Sequence, residues 1–412
     1  MKKQLIALSV CGAFCGLAHA DGSSVTVYGI IDAGIMTQSH AGNVIVPGAS
    51  GAPPTIQPGD RATGFVDGQM APSIYGIKGS EDLGGGLKAS FDLEGGFNSG
   101  NGVHNSQDNN NQIFGRQAWV ALGADWGTVT AGLQVDPAFI AAIATDPRAM
   151  TDSLSSLGFW INATLNNGGG ASNGQGLQGG IFDNNAVSYT YEGNGLYVGA
   201  LYGIGGVAGA SSNNAQYSIG ASYTVQGFVV AAGYVEDKAA SPNLPAVYTG
   251  PNSKIAHGGL GYSVGPWAVR AQYADFKYGY TDALFATIGN TPRDDVKVYG
   301  IGGDWKSGAN TVNLSFYDAK DNGGGVNALG FQTVGTISGY PTGESSKEIA
   351  LMDTYSLSKR TSVYAQVADV KVDQRAGDSA GFSSAYMTAA GGLMNSANTT
   401  TTFFGFGIQH SF

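Results

Sequence analysis

Between Val25 and Ile35 every odd position is Val, Gly, Ile or Ala, while the even positions include Thr26, Tyr28, Asp32 and Gly34. A period of two is the signature of a strand whose successive side chains point to opposite faces, here with one face free of polar groups. The split recurs in 87–97, where Leu87, Ala89, Phe91, Leu93 and Phe97 alternate with Lys88, Ser90, Asp92 and Glu94. It recurs again in 267–273, where Trp267, Val269, Ala271 and Tyr273 alternate with Ala268, Arg270 and Gln272. A soluble sandwich alternates too, so the number of strands and the rhythm of their connections must decide.

Sixteen candidate strands lie near 24–36, 69–79, 87–97, 112–123, 128–135, 184–192, 196–204, 215–225, 228–238, 254–263, 267–278, 294–305, 310–320, 346–357, 361–373 and 399–412. Their connections alternate between short turns ("SEDLGGG", "ADWG", "GNG", "QG", "VGP", "KSGA", "SKR") and longer segments rich in Asn, Gly, Ser and Pro. An even number of antiparallel strands, with short turns on one rim and long loops on the other, is the pattern of a transmembrane β-barrel. Closure there pairs every backbone group that lipid cannot satisfy. The expectation is an all-β, 16-stranded antiparallel barrel. One strand resists it: in 346–357 the apolar parity Ile349, Leu351, Tyr355, Leu357 includes Asp353, which leaves a bulge or a subunit contact open.

Residues 1–20 place Lys2 and Lys3 before an apolar stretch and finish on Ala18-His19-Ala20, the form of a secretory signal peptide, with 21–412 as the mature barrel. Cys11 and Cys15 leave with the signal, so no disulfide is expected. Without Lys2 and Lys3 the chain carries 18 basic and 30 acidic residues, a net formal charge of −12, which argues against nucleic acid as a partner. Glycine is 66 of 412 residues, yet aromatics reach 10%, a mixture that fits a folded β protein rather than a flexible linker. The histidines at 19, 40, 104, 257 and 410 never approach metal-ligand spacing, so neither a metal nor another cofactor is expected, although acidic loop residues keep the chemistry of a surface Ca²⁺ site. "GGLGYSVG" lacks the Lys-Ser/Thr of a phosphate loop.

With these features in place, the chain resembles the general trimeric porins of β-proteobacterial outer membranes. "SSVTVYGIIDAGI", "YGIKGSEDLGGGLKASFDLEGGFN", "FGRQAWVALGADWGTVTAGLQ", "YSLSKRTSVYAQVADV" and "GFGIQHSF" look like that family's successive signatures, in its order. The resemblance implies a homotrimer in the outer membrane of a Gram-negative bacterium, in contact with lipid and lipopolysaccharide. Each barrel would hold a water-filled pore for passive diffusion of small hydrophilic solutes and ions, narrowed by an inward-folded third external loop, about 136–183. It also implies that Phe412 is an assembly signal read by the barrel-assembly machinery.

That loop would present Asp136, Asp146, Arg148 and Asp152 to the pore. On the facing wall the family's arginines are broken here: Ser73-Ile74 and Phe182 stand at two of the places, leaving Arg116 with Lys78, and Arg270 and Lys297 as further bases to examine. The expected channel is weakly selective at most, leaning to cations. The competing readings are a substrate-selective outer-membrane channel, an outer-membrane barrel enzyme with a Ser-His pair on its rim, and a secreted β-rich lectin. The enzyme is disfavoured because His40, His104 and His257 fall in or beside loop regions with no evident nucleophile–base partner.

Overall fold

A computed structural model describes residues 23–39, 43–46, 55–58, 61–104, 112–151, 153–157, 160, 181–206, 212, 215–238, 252–279, 293–321, 344–373 and 400–412. The signal peptide at 1–20 and Asp152 lie outside the described residues. The strands are β1 (Ser24–Gln38), β2 (Asn43–Val46), β3 (Thr55–Pro58), β4 (Ala62–Asp67), β5 (Ile74–Gly84), β6 (Leu87–Gly96), β7 (Gln117–Ala124), β8 (Gly127–Val135), β9 (Phe182–Gly193) and β10 (Leu196–Gly203). They continue as β11 (Gln216–Val225), β12 (Phe228–Asp237), β13 (Ser253–Val264), β14 (Trp267–Gly279), β15 (Arg293–Ser307), β16 (Asn310–Asp321), β17 (Glu344–Ser356), β18 (Thr361–Asp373) and β19 (Thr400–Ser411). One short helix, α1 (Pro137–Ile143), stands between β8 and β9.

From β5 to β19 each strand pairs antiparallel with the next, and β19 returns to β1. On its other side β1 pairs with β5 at one end and β4 at the other, so β4 and β5 are two halves of one strand and the sheet closes as sixteen strands. Closure leaves no sheet edge. β2 and β3 form a separate hairpin. Two of the tight turns read directly from sequence: Asn194-Gly195 and Gln226-Gly227 have φ of 53°, 83°, 50° and 89°, the paired left-handed residues that suit a two-residue hairpin.

The faces divide as the alternation predicts. Val25, Val27, Ile31 and Ile35 are exposed on the outside, whereas Tyr28, Asp32, Met36 and Gln38 are buried within. Outward aromatics pair across strands at the turn end, as Trp126–Tyr189, Phe228–Tyr262 and Trp267–Trp305, and at the loop end, as Tyr202–Tyr217 and Tyr273–Tyr299. Lys297 shares the outward parity of Tyr299 and Ile301, so it is not part of the inner wall.

Asp353 sits in unbroken register between Val312 and Ala365, which removes the bulge. It is two residues from the rim aromatic Tyr355, at a depth where an outward charge costs about 0–1 kcal/mol. At the chain's last residue, Gly29 and Phe412 exchange backbone hydrogen bonds of 3.2 and 3.0 Å. The Phe412 ring lies over Gly29, where an added Cβ would stand 2.4 Å from it.

Candidate functional site

The described residues between 136 and 160 pack against side chains of the barrel wall. Asp136 caps α1: its carboxylate accepts from the amides of Ala138 (2.6 Å) and Phe139 (3.0 Å) and from Ser218 Oγ (2.8 Å), with Pro137 at the first helical position. The Asp136 amide donates to the Ile181 carbonyl at 2.8 Å and closes the neck of the loop. Burial at 0% exposure pushes the Asp136 carboxyl up to about 6, against the pull of its hydrogen bonds with Asp183, Ser218 and the two amides.

Helix α1 lies across β10 to β13. Glycine is required at the crossing: a Cβ on Gly220 would be 2.1 Å from the Pro137 carbonyl, and one on Gly233 would be 2.7 Å from Ala138 Cβ. Trp160, fully buried, fills the space beside the helix with ring centroids 5.2 Å from Phe139, 5.8 Å from His257 and 5.7 Å from Phe276.

Beyond α1 the loop is held by its own charges. Asp146, at 0% exposure, accepts from the amides of Arg148 and Met150 (both 2.9 Å), Ser156 Oγ (2.6 Å) and Tyr317 Oη (3.1 Å). The Pro147 carbonyl accepts from Arg270 Nη1 at 3.3 Å and Asn313 Nδ2 at 2.9 Å, and Arg270 pairs with Asp304 at 2.5 Å. Arg148, 3% exposed, donates to Gln366 Oε1 at 2.9 Å, and Ser153 donates through amide and hydroxyl to the Gln69 carbonyl at 3.1 and 2.8 Å. These contacts carry the loop past β14–β18 to the connection between β4 and β5. They hold Asp136, Asp146 and Arg148 in buried hydrogen bonds rather than in water, and the loop's half-buried or exposed side chains include Ile140, Ile143, Ala144 and Ala149.

On β1 and β5–β7 the inward side chains form rows. Register aligns Thr26, Lys78, Asp92 and Trp119 in one row, and Tyr28, Gly76, Glu94 and Gln117 in the next. Tyr28 Oη donates to Asp92 (2.7 Å) and Glu94 (2.9 Å), and Arg116 Nε donates to Glu94 at 2.7 Å. Lys78 lies 4.7 Å over the Tyr28 ring, and Arg116 lies 4.7 Å over Phe182. Trp119 Nε1 donates to Gln117 at 2.9 Å. Lys78, Gln117 and Trp119 are half-exposed. The structure thus unites Lys78 and Arg116 on one wall, and Asp146, Arg148 and Arg270 on another. Sequence reasoning missed Asp92, Glu94 and Trp119. The signal was available: Trp119 has the parity of Gln117, opposite Val120 and Leu122.

Among the described residues no group of three or more His, Cys, Asp or Glu is arranged to hold a metal ion, and no helix is long and apolar enough to cross a membrane, which says nothing of strands.

Residues 7–375 match the model of the Gram-negative porin family. The chain is 34% identical over 164 residues to an outer membrane porin protein of Bordetella pertussis, a stretch covering 40% of this chain and 41% of the relative. It is also 34% identical over 137 residues to outer membrane porin protein 32 of Delftia acidovorans, covering 33% of each. The aligned stretches therefore span less than half the length of these relatives. In three dimensions the barrel is similar to an anion-selective porin from Comamonas acidovorans, with a TM-score of 0.67 at 22% identity over 95% of this chain and 100% of that one. It is similar also to OmpF of Salmonella typhi, with a TM-score of 0.61 at 14% identity over 95% and 98%.

Proposed function

This chain belongs to the Gram-negative porin family, and from that premise we propose that it forms a water-filled channel through the outer membrane for passive diffusion of small hydrophilic solutes and ions. The observation that carries the reading is the division of faces: a closed sheet apolar outside and lined inside by Lys78, Asp92, Glu94, Gln117, Asp304 and Gln366 has a use for both solvents at once. The 136–183 loop is the constriction in this reading, since its described residues pack on the inward face. An enzyme is disfavoured, because the described His257 faces Trp160 rather than a serine.

A homotrimer is supported by the sparse girdle. The exposed large side chains of β19, β1, β5 and β7 are aliphatic or Phe, with the outward Tyr75 of β5 half-exposed, whereas the cross-strand aromatic pairs lie on the Trp126 turn and β9–β15. A wall poor in membrane-interface anchors suits a protein neighbour. Above the tyrosines, Lys254, Lys277 and Lys320 pair with Glu236, Asp275 and Asp318 at 3.6, 3.4 and 3.7 Å, a charged band suited to lipopolysaccharide head groups. Phe412 is read as the assembly signal, and its deletion is expected to lower the amount of chain assembled in the outer membrane.

The test is reconstitution of the detergent-purified chain in planar bilayers. Stepwise ohmic conductance in KCl, from a species that migrates as a heat-dissociable trimer, is the expected result. A monomer soluble without detergent, or a bilayer without steps, overturns the reading.

A further inference from the structure

The half-exposed Trp119 faces the barrel interior, where a channel for small ions has no need of an aromatic ring. Its cross-strand neighbour in the row is Asp92, and beyond that Lys78. Its indole N–H is held by Gln117 at 2.9 Å, which fixes the ring beside the strand. One step toward the turn end, Ser24, Ser80 and Ser90 form a row of hydroxyls, with Ser24 and Ser80 joined at 3.1 Å. One step toward the loop end, Glu94 is tied to Tyr28 and Arg116.

The charges of this wall are matched. Tyr28 bridges Asp92 and Glu94, Arg116 pairs with Glu94, and Lys78 lies over the Tyr28 ring. A flat apolar face beside amide, hydroxyl, ammonium and carboxylate groups, without a surplus of either sign, fits a solute that has an apolar ring face and a hydroxylated rim. The half-buried side chains of the described loop include the apolar Ile140, Ile143 and Ala144, packed against the wall beneath α1. A strongly charged solute finds no uncompensated partner at this level.

We propose that Trp119, with Lys78, Asp92 and Gln117, forms a weak binding rung for neutral sugars on the channel wall, so that the pore carries saccharides by binding and release as well as by free diffusion. The inference rests on the channel reading above and deepens it.

The experiment uses the full chain in planar bilayers, with glucose as probe and glycerol at matched viscosity as control. Glucose is expected to lower KCl conductance saturably and beyond the glycerol effect. Trp119→Ala is expected to raise the half-saturating concentration by roughly three- to tenfold, the range of one aromatic contact, while Trp119→Phe keeps most of the effect. Equal reductions by glucose and glycerol in the wild type overturn the rung while leaving the channel intact, and that comparison needs no variant. Saturable block by benzoate without any by glucose overturns it in favour of a carboxylate site. A Trp119→Ala channel with unchanged glucose saturation overturns the role of the indole. A bilayer without conductance removes the channel and the rung together.

Discussion

Asp136 illustrates how a loop charge can serve the fold instead of the solvent. Its carboxylate is the acceptor for two helix amides and Ser218, and Asp183 meets it across the neck of the loop. Burial in this dry site disfavours the charged carboxylate and pushes the Asp136 carboxyl up from the ordinary 3.8 to about 6, against the pull of its hydrogen bonds with Asp183, Ser218 and the two amides. A raised acid binds more protons folded than unfolded, so stability is fullest below about 4 and falls as pH rises toward and through about 6. Asp136→Asn keeps a capping oxygen and supplies an N–H for Asp183. Melting temperature measured from pH 4 to 7 is expected to decline for the wild type and to flatten for the variant; parallel curves would refute the coupling. Sequence alone points Asp136, Asp146 and Arg148 toward water, because loop charges are usually solvated. What it does not reveal is the set of partners, Ser218, Tyr317 and Gln366, lying 82 to 218 residues away in chain order, that offsets the cost of burial.

Strands were the legible elements. Their period of two and the turn residues between them are local signals, and the observed β6 at Leu87–Gly96 or β13 at Ser253–Val264 departs little from the reading at 87–97 or 254–263. The division of the second strand into β4 and β5 was not legible. Residues 68–73 leave the ladder because the amides of Met70 and Ala71 turn to the Asp32 carboxylate at 2.8 and 3.0 Å, a contact across nearly forty residues. Nor was α1, whose seven residues are too few to show a helical period and which owes its place to the glycines beneath it. Gly220→Val puts a branched side chain where even a Cβ meets the Pro137 carbonyl at 2.1 Å. The barrel itself has room to fold, so the expected outcome is an assembled channel with α1 displaced, seen as higher and noisier single-channel conductance than the wild type. An unchanged conductance would mean that α1 does not narrow the pore.

At the scale of the whole barrel, the sign of selectivity follows from which inward charges remain uncompensated. The shared fold fixes no sign, since 22% identity to an anion-selective porin carries the architecture alone. Arg116 is matched by Glu94 and Arg270 by Asp304, at 2.7 and 2.5 Å. Asp32, Asp92 and Glu348 then stand inside the barrel beside the inward-parity bases Lys78, Lys88 and Lys306, and the chain's formal net charge of −10 biases the mouths toward cations. Several of these acids are buried and answered by hydroxyl or amide donors, so their reach into the water is short. Fixed charge acts over a Debye length of about 8 Å at physiological salt, and a surplus of one or two charges is enough to bias entry. The expected channel is weakly cation-selective. Arg116→Ala deletes the cation that neutralises Glu94, leaving that carboxylate to Tyr28 alone, and is expected to move the reversal potential across a tenfold KCl gradient further toward the cation limit. A strongly anion-selective wild type, or a variant with no shift, would place the effective positive charge in segments other than β1 and β5–β7, because Arg116 is the base most closely joined to the carboxylates of that wall.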